Sequence, residues 1–279
     1  MTNIFDERPC TLGEGPLWHP ERQQLFWFDI LNWSLLSREN GTTKAWEFDE
    51  YVSAAGWVGK SEVMIASASQ LFLFNLETEA RMKLCDLEAD DPVTRSNDGR
   101  ADPKGGFWIG TMGINAEPGK GAIYRYYRGE LRRLYTGITI TNAICFSPDG
   151  QKAYFADTAT QTIQQVVLDG NGWPSATPTL FADLSKEGHN PDGAVVDSDG
   201  HLWNAQWGAN RVARYAPNGT FVEEVSFRAR QVSCPAFGGA DLQTLFATSA
   251  SVGLNGDWEG KTYFTQVSAR GQAEPRVIL

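Results

Sequence analysis

The chain has 279 residues and a formal net charge of −10, with no Lys/Arg cluster to offset that excess, so nucleic acid and anionic membrane surfaces are excluded as expected partners. Hydrophobic residues make up 42%, with ten Trp and fifteen Phe, which suits sheet-on-sheet packing around a substantial core and excludes a disordered chain. All-β chains of this length often form one unit, so a single domain over residues 1–279 is expected.

The first residues, Met1 to Arg8, lack a basic start followed by an apolar stretch, and no run approaches the ~20 residues that span a bilayer. A cytoplasmic location is expected. From there one phrase recurs: Leu25–Ile30 (LFWFDI), Val63–Ser67 (VMIAS), Phe107–Thr111 (FWIGT), Ala153–Thr158 (AYFADT), Leu202–Gln206 (LWNAQ) and Leu245–Ser249 (LFATS). The copies are about 44 residues apart, the period of one four-stranded propeller blade. Between them stand turn signals, Asn40-Gly41, Pro148-Asp149-Gly150, Asp169 to Gly172, Asp199-Gly200 and Pro217-Asn218-Gly219, each supplying the backbone chemistry of a tight hairpin. Helical periodicity is nowhere sustained. The expected fold is therefore all-β, a six-bladed β-propeller with four-stranded antiparallel blades. Closure of the ring predicts that the last strand-like segment, Lys261–Val267, pairs near the N-terminus, which removes an exposed edge. Two stretches without a clear pattern, Leu87–Ser96 and Gly113–Gly121, are expected as loops at the channel mouth.

Four cysteines, Cys10, Cys85, Cys145 and Cys234, form no C-x-x-C pair, and the three histidines, His19, His189 and His201, have no metal-binding spacing. Buried free thiols are expected, and helix-borne zinc chemistry has no basis. Oxygen donors are another matter. Glu14, Asn97-Asp98, Asn142 and Asp192 recur just ahead of or between the strands of several blades. Inner propeller strands start at the central channel, so equivalent positions converge there from distant parts of the sequence. Carboxylates and an amide oxygen make an oxygen-only site for one divalent cation, calcium, magnesium or manganese by donor type, with zinc also able to occupy it. Asn-Asp-Gly and Pro-Asp-Gly are also good turn sequences, and Pro148-Asp149-Gly150 reads as a plain hairpin. Glu14 stands between Gly13 and Gly15, which would let backbone approach a ligand closely.

Four segments carry a resemblance: Leu12–Trp18 (LGEGPLW), Arg95–Met112 (RSNDGRADPKGGFWIGTM), Ile140–Gly150 (ITNAICFSPDG) and Asn190–Asp197 (NPDGAVVD). Together they are similar to the regucalcin/gluconolactonase family of sugar-lactone hydrolases, and the similarity runs through Ser233–Gly239 to near the C-terminus. The resemblance implies a six-bladed propeller with one catalytic divalent cation. It implies Glu14, Asn142 and Asp192 as metal ligands, with Asp192 also the general base, and Arg95, Asn97 and Glu117 as substrate contacts.

A lactone is an activated ester, hydrolysed readily where a cation polarises its carbonyl and a carboxylate accepts a proton from water. Arg95 and Asn97, two residues apart on extended chain, would share a face; the alternative for Arg95 is a surface ion pair with Asp90 or Asp91. Asp98 reads either as an orienter of the metal site or as a turn residue. The expected partner is a small sugar lactone, and no feature specifies an oligomeric state. Two other readings use the same residues: an organophosphate or ester hydrolase, and a calcium-binding propeller without catalysis.

Overall fold

The computed structural model, which describes residues 2–279, consists of 24 strands and two single 3-10 turns, Ile30–Asn32 and Thr158–Thr160. After β1 (Asn3–Asp6) the strands run in consecutive fours. Blade one is β2 (Gly13–His19), β3 (Gln24–Asp29), β4 (Ser34–Glu39) and β5 (Thr42–Glu47). Blade two is β6 (Val52–Gly59), β7 (Glu62–Ser67), β8 (Gln70–Asn75) and β9 (Arg81–Asp86). Blade three is β10 (Thr94–Ala101), β11 (Phe107–Gly113), β12 (Gly121–Tyr127) and β13 (Glu130–Ile138). Blade four is β14 (Thr141–Phe146), β15 (Lys152–Asp157), β16 (Thr162–Val167) and β17 (Thr179–Asp183). Blade five is β18 (Asn190–Val196), β19 (Leu202–Trp207), β20 (Arg211–Tyr215) and β21 (Phe221–Ser226). Blade six is β22 (Gln231–Gly238), β23 (Thr244–Ala250), β24 (Thr262–Gln266) and, from the other end of the chain, β1. All six sheets are four-stranded and antiparallel, which is the expected six-bladed propeller.

The six repeated phrases form β3, β7, β11, β15, β19 and β23, the second strand of each blade. These strands have sheet neighbours on both edges and another blade against each face, so they read as continuous apolar runs rather than as alternations. The outermost strands face water instead, and β21 is almost entirely exposed. Between every two neighbouring blades lies an apolar core. Phe26, Phe28, Val52 and Ile65 join blades one and two, while Trp18, Trp27, Ala236 and Phe246 join blades six and one. The ring closes as expected: β1 pairs with β24, Asn3 opposite Phe264 and Ile4 opposite Tyr263.

Every inner strand bulges near one end of the channel. The pairing with the second strand breaks between Glu14 and Leu17, Val52 and Ala54, Ser96 and Gly99, Asn142 and Cys145, Pro191 and Ala194, and Val232 and Pro235. A bulge turns side chains out of the regular pleat, and here six of them surround one axis. The other end of the channel is crossed by residues 271–278. Gln272 donates to the carbonyls of Phe146 (3.1 Å) and Val196 (2.9 Å), Glu274 pairs with Arg100, and the Val277 amide donates to Trp57 O at 2.9 Å. This strap ties blades two to five together.

The cysteines are all free; Cys10, Cys145 and Cys234 are buried, whereas Cys85 is only half-buried. No helix among the described residues is long and apolar enough to cross a membrane.

Candidate functional site

At the bulged end a cavity of about 240 Å³ opens over Glu14, Arg95, Asn97, Asn142 and Asp192. All five are buried, with relative exposures of 3–6%. Each comes from an inner strand of blade one, three, four or five, so residues up to 178 positions apart share one floor. The floor is held by a chain of hydrogen bonds. Arg95 Nη1 donates to Asn97 Oδ1 (2.8 Å) and to Ser96 O (2.9 Å). Asn97 Nδ2 donates to Thr141 O (2.8 Å) and Asn142 Oδ1 (3.2 Å). Asn142 Nδ2 donates to Thr158 Oγ1 (2.8 Å), whose hydroxyl donates in turn to Pro191 O (2.7 Å). These partners set the Asn142 amide with its oxygen, not its NH₂, beside Asn97.

Charge on this floor is out of balance. Burial first, and then the Asp98 carboxylate, push the Glu14 carboxyl up to about 8. Asp192 is raised well above the ordinary carboxylate range by burial and by the Glu14 and Asp98 charges. The two carboxyls lie within hydrogen-bond reach of each other, and a proton between them relieves the like-charge repulsion. Burial lowers Arg95 to about 10, which still leaves it charged at neutral pH. Its Nε is buried and without a partner.

A divalent cation fits this arrangement. Two buried carboxylates forced together, facing one guanidinium, are stabilised in their ionised form by positive charge between them, and oxygen donors match hard cations. Among the described residues no three His, Cys, Asp or Glu side chains converge as a metal group. The third oxygen at hand is the amide of Asn142, so Glu14, Asp192 and Asn142 are the residues that would hold the ion.

Several sequence expectations land elsewhere. Glu117 follows β11, outside the cavity lining, and its carboxylate accepts from Asn115 N and Nδ2, both at 3.0 Å. Those bonds, the Asn115 side chain first, hold its pKa below the usual value. The stretches around it, 87–93 and 114–120, are loops, but neither lines the cavity. Arg95 makes no ion pair with Asp90 or Asp91; Asp91 faces Lys120 at 3.5 Å. Asp98 accepts from the Ile144 amide at 2.7 Å, bridging β10 to the β14 bulge one residue past Ala143, whose φ is +56°. It thereby fixes the strand that carries Asn142. Gly13 and Gly15 are required, though not by a ligand: a Cβ at Gly13 would meet Ser249 O at 2.5 Å, and at Gly15, where φ is +52°, Ser53 O at 2.2 Å. Neighbouring blades need that space.

Other residues of the site gave no sequence signal as chemistry. Leu12, Met112, Ile140, Trp207 and Val252 stand around the mouth as an apolar collar. Asn204, fully buried on β19, donates through Nδ2 to Asp192 O (2.9 Å) and Gly193 O (3.2 Å), the carbonyls of the β18 bulge, while its Oδ1 has no partner. A signal for Asn204 did exist. In the six repeated phrases its position holds Trp27, Ile65, Ile109, Phe155 and Ala247; a polar residue there breaks the pattern.

Fold and site together define a six-bladed propeller with a pocket at the bulged end of its channel, its floor polar and its collar apolar. The chain belongs to the SMP-30/Gluconolactonase/LRE-like family, whose model matches residues 12–251. It is 38% identical to an L-arabinolactonase of Azospirillum brasilense over 88% of this chain and 83% of the relative. It is 31% identical to a 6-deoxy-6-sulfogluconolactonase of Pseudomonas putida over 96% and 95%. Among solved structures it superposes on the calcium-binding protein regucalcin of Agrobacterium tumefaciens with a TM-score of 0.97 and 37% identity, covering 100% of this chain and 98% of that one.

Proposed function

We propose that the chain is a divalent-cation-dependent lactonase that hydrolyses an aldonolactone to its open sugar acid. The observation that carries this reading is the convergence of Glu14, Asp192 and the Asn142 amide oxygen beside Arg95 on the floor of one small cavity. Relatives named as sugar lactonases, and a structural neighbour named as calcium-binding, support it.

When bound, the cation supplies a Lewis acid for the ester carbonyl. Asp192 takes the proton from the water that adds to that carbonyl and returns it to the ring oxygen as the acyl C–O bond breaks, so that the hydroxyl and the carboxylic acid are released together. Glu14 holds negative charge opposite Asp192. Arg95, with Nη1 bound to Ser96 and Asn97, offers its other terminal N–H groups to ring or hydroxyl oxygens of the substrate. Both ends of the Asn97 amide are already engaged, so its part is to hold Arg95 and Asn142 in place. Glu117 would reach substrate only by leaving Asn115.

The test is a pH-indicator assay on pure aldonolactones, since hydrolysis releases acid, with a phosphotriester at equal enzyme concentration as the comparison. Turnover of a lactone that is lost on chelation and restored by calcium, manganese, magnesium or zinc is the expected result. Undiminished turnover after exhaustive metal removal, or turnover of the phosphotriester alone, overturns the reading.

A further inference from the structure

The collar differs in kind from the floor. Leu12, Met112, Ile140, Trp207 and Val252 present hydrocarbon, thioether or aromatic surface, and Arg95 is the one cationic side chain lining the cavity. The backbone groups of two collar residues are already engaged: the Leu12 amide donates to Asp29 Oδ1 at 3.0 Å and the Ile140 amide to Asp157 Oδ1 at 3.0 Å, while the carbonyls of both accept from Ile30 N and Thr158 N. The Thr158 hydroxyl is committed to Asn142 and Pro191. That leaves the indole N–H of Trp207 as a lone donor among the side chains of the collar.

A cavity of about 240 Å³ is small for a ligand site, so a monosaccharide lactone seated on the floor also touches the collar. A hydroxyl carried there gives up water against the collar and finds no acceptor among its side chains, which costs roughly a factor of ten in binding. A methyl or unsubstituted C–H edge gains by leaving water, and the C–H face of a sugar can stack on Trp207. A sulfonate or phosphate at the collar would meet no cation, a larger penalty again.

We propose that the natural substrate is an uncharged deoxy-sugar lactone, its carbonyl end on the polar floor and its deoxygenated carbon against Leu12, Met112, Ile140, Trp207 and Val252. The proposal rests on the lactonase reading above and narrows its substrate class.

Matched pairs test it: L-fucono-1,4-lactone against L-galactono-1,4-lactone, and L-rhamnono-1,4-lactone against L-mannono-1,4-lactone, differing within each pair only at carbon six. The expected result is a kcat/KM at least about tenfold higher for the deoxy member in whichever series is turned over. Ile140→Asn and Val252→Asn, both at the partly exposed rim, should shrink that ratio to below about threefold while the proteins stay folded by circular dichroism. Equal or better turnover of the hydroxymethyl member, or a ratio that the rim variants leave unchanged, overturns the substrate class and leaves the lactonase reading standing. Turnover confined to lactones other than these four also overturns the substrate class, and no turnover of any lactone, these four or the wider panel, overturns both.

Discussion

Two arginines five residues apart on β10 lie at opposite ends of the same channel, and their surroundings could hardly differ more. Arg100 is paired with Glu274 from the C-terminal strap; that carboxylate outweighs burial and holds its pKa above the usual value. Arg95 forms no ion pair among the described residues, its Nε lacks any partner, and burial lowers its pKa to about 10. One end of the channel is thus neutralised and sealed by the chain itself. The other keeps an arginine without an ion pair beside two carboxyls whose pKa values burial raises, and an incompletely satisfied buried group of this kind is a mark of a functional site.

The sharpest way to break this contrast is at the open end. Asp192→Ala, or Glu14→Gln, should lower kcat by roughly 10³-fold or more while the melting temperature stays within a few degrees, because each change also relieves like-charge repulsion on the floor. A parallel collapse of thermal stability would instead make these carboxylates structural.

The two arginines then separate by assay. Arg100→Met leaves Glu274 buried without its partner and should destabilise the protein by about 3–5 kcal/mol, read as a lower denaturant midpoint. Arg95→Met should cost little stability and lower kcat/KM by about a hundredfold.

A smaller effect is expected on the bulge that presents Asp192. Asn204→Leu restores the apolar pattern of the other five blades but removes two donors from the Asp192 and Gly193 carbonyls. We expect kcat to fall by about three- to tenfold with KM changed less, and the denaturant midpoint near that of the parent, since losing the unpartnered Oδ1 offsets part of the lost bonding. An unchanged kcat would assign Asn204 no part in positioning.

The least change comes from His19, buried between blades one and two. Its Nδ1 accepts from the Arg22 amide at 3.3 Å, so Nε2 carries the proton and donates to Gly59 O at 3.0 Å. Burial lowers its folded pKa below 6.5. The unfolded chain therefore binds a proton here before the folded one does, and stability is lost as pH falls from about 6.5 toward that lower value. His19→Gln should flatten this part of the stability profile, measured by urea denaturation at several pH values, while leaving turnover at neutral pH unchanged.

How far the sequence can be read depends on which interactions are local. Turn chemistry at Asn40-Gly41 or Asp199-Gly200 and the both-faces burial of LFWFD or LFATS need only their own strands, so they are visible in one dimension. Glu14, Asn142 and Asp192 stand out by residue type, and the family motif places them together. Glu117 carries the same chemical promise, but a two-residue reach to Asn115 decides its orientation, and nothing in its spacing reports that. Gly13 and Gly15 do demand small residues, yet for a neighbour other than a ligand, because the blades that crowd them lie about 40 residues downstream and more than 230 residues downstream.

The sequence by itself determined the number of blades, their strand order and the meeting of the two chain ends, since a 44-residue repeat of apolar runs and turns buries its faces in only one regular way. Tertiary structure alone decided the rest: which buried arginine is neutralised, which polar side chains stay short of partners, and that a polar floor lies beneath an apolar collar. Burial, like-charge repulsion and the lack of a partner are relations between blades, and they exist only once the ring has closed.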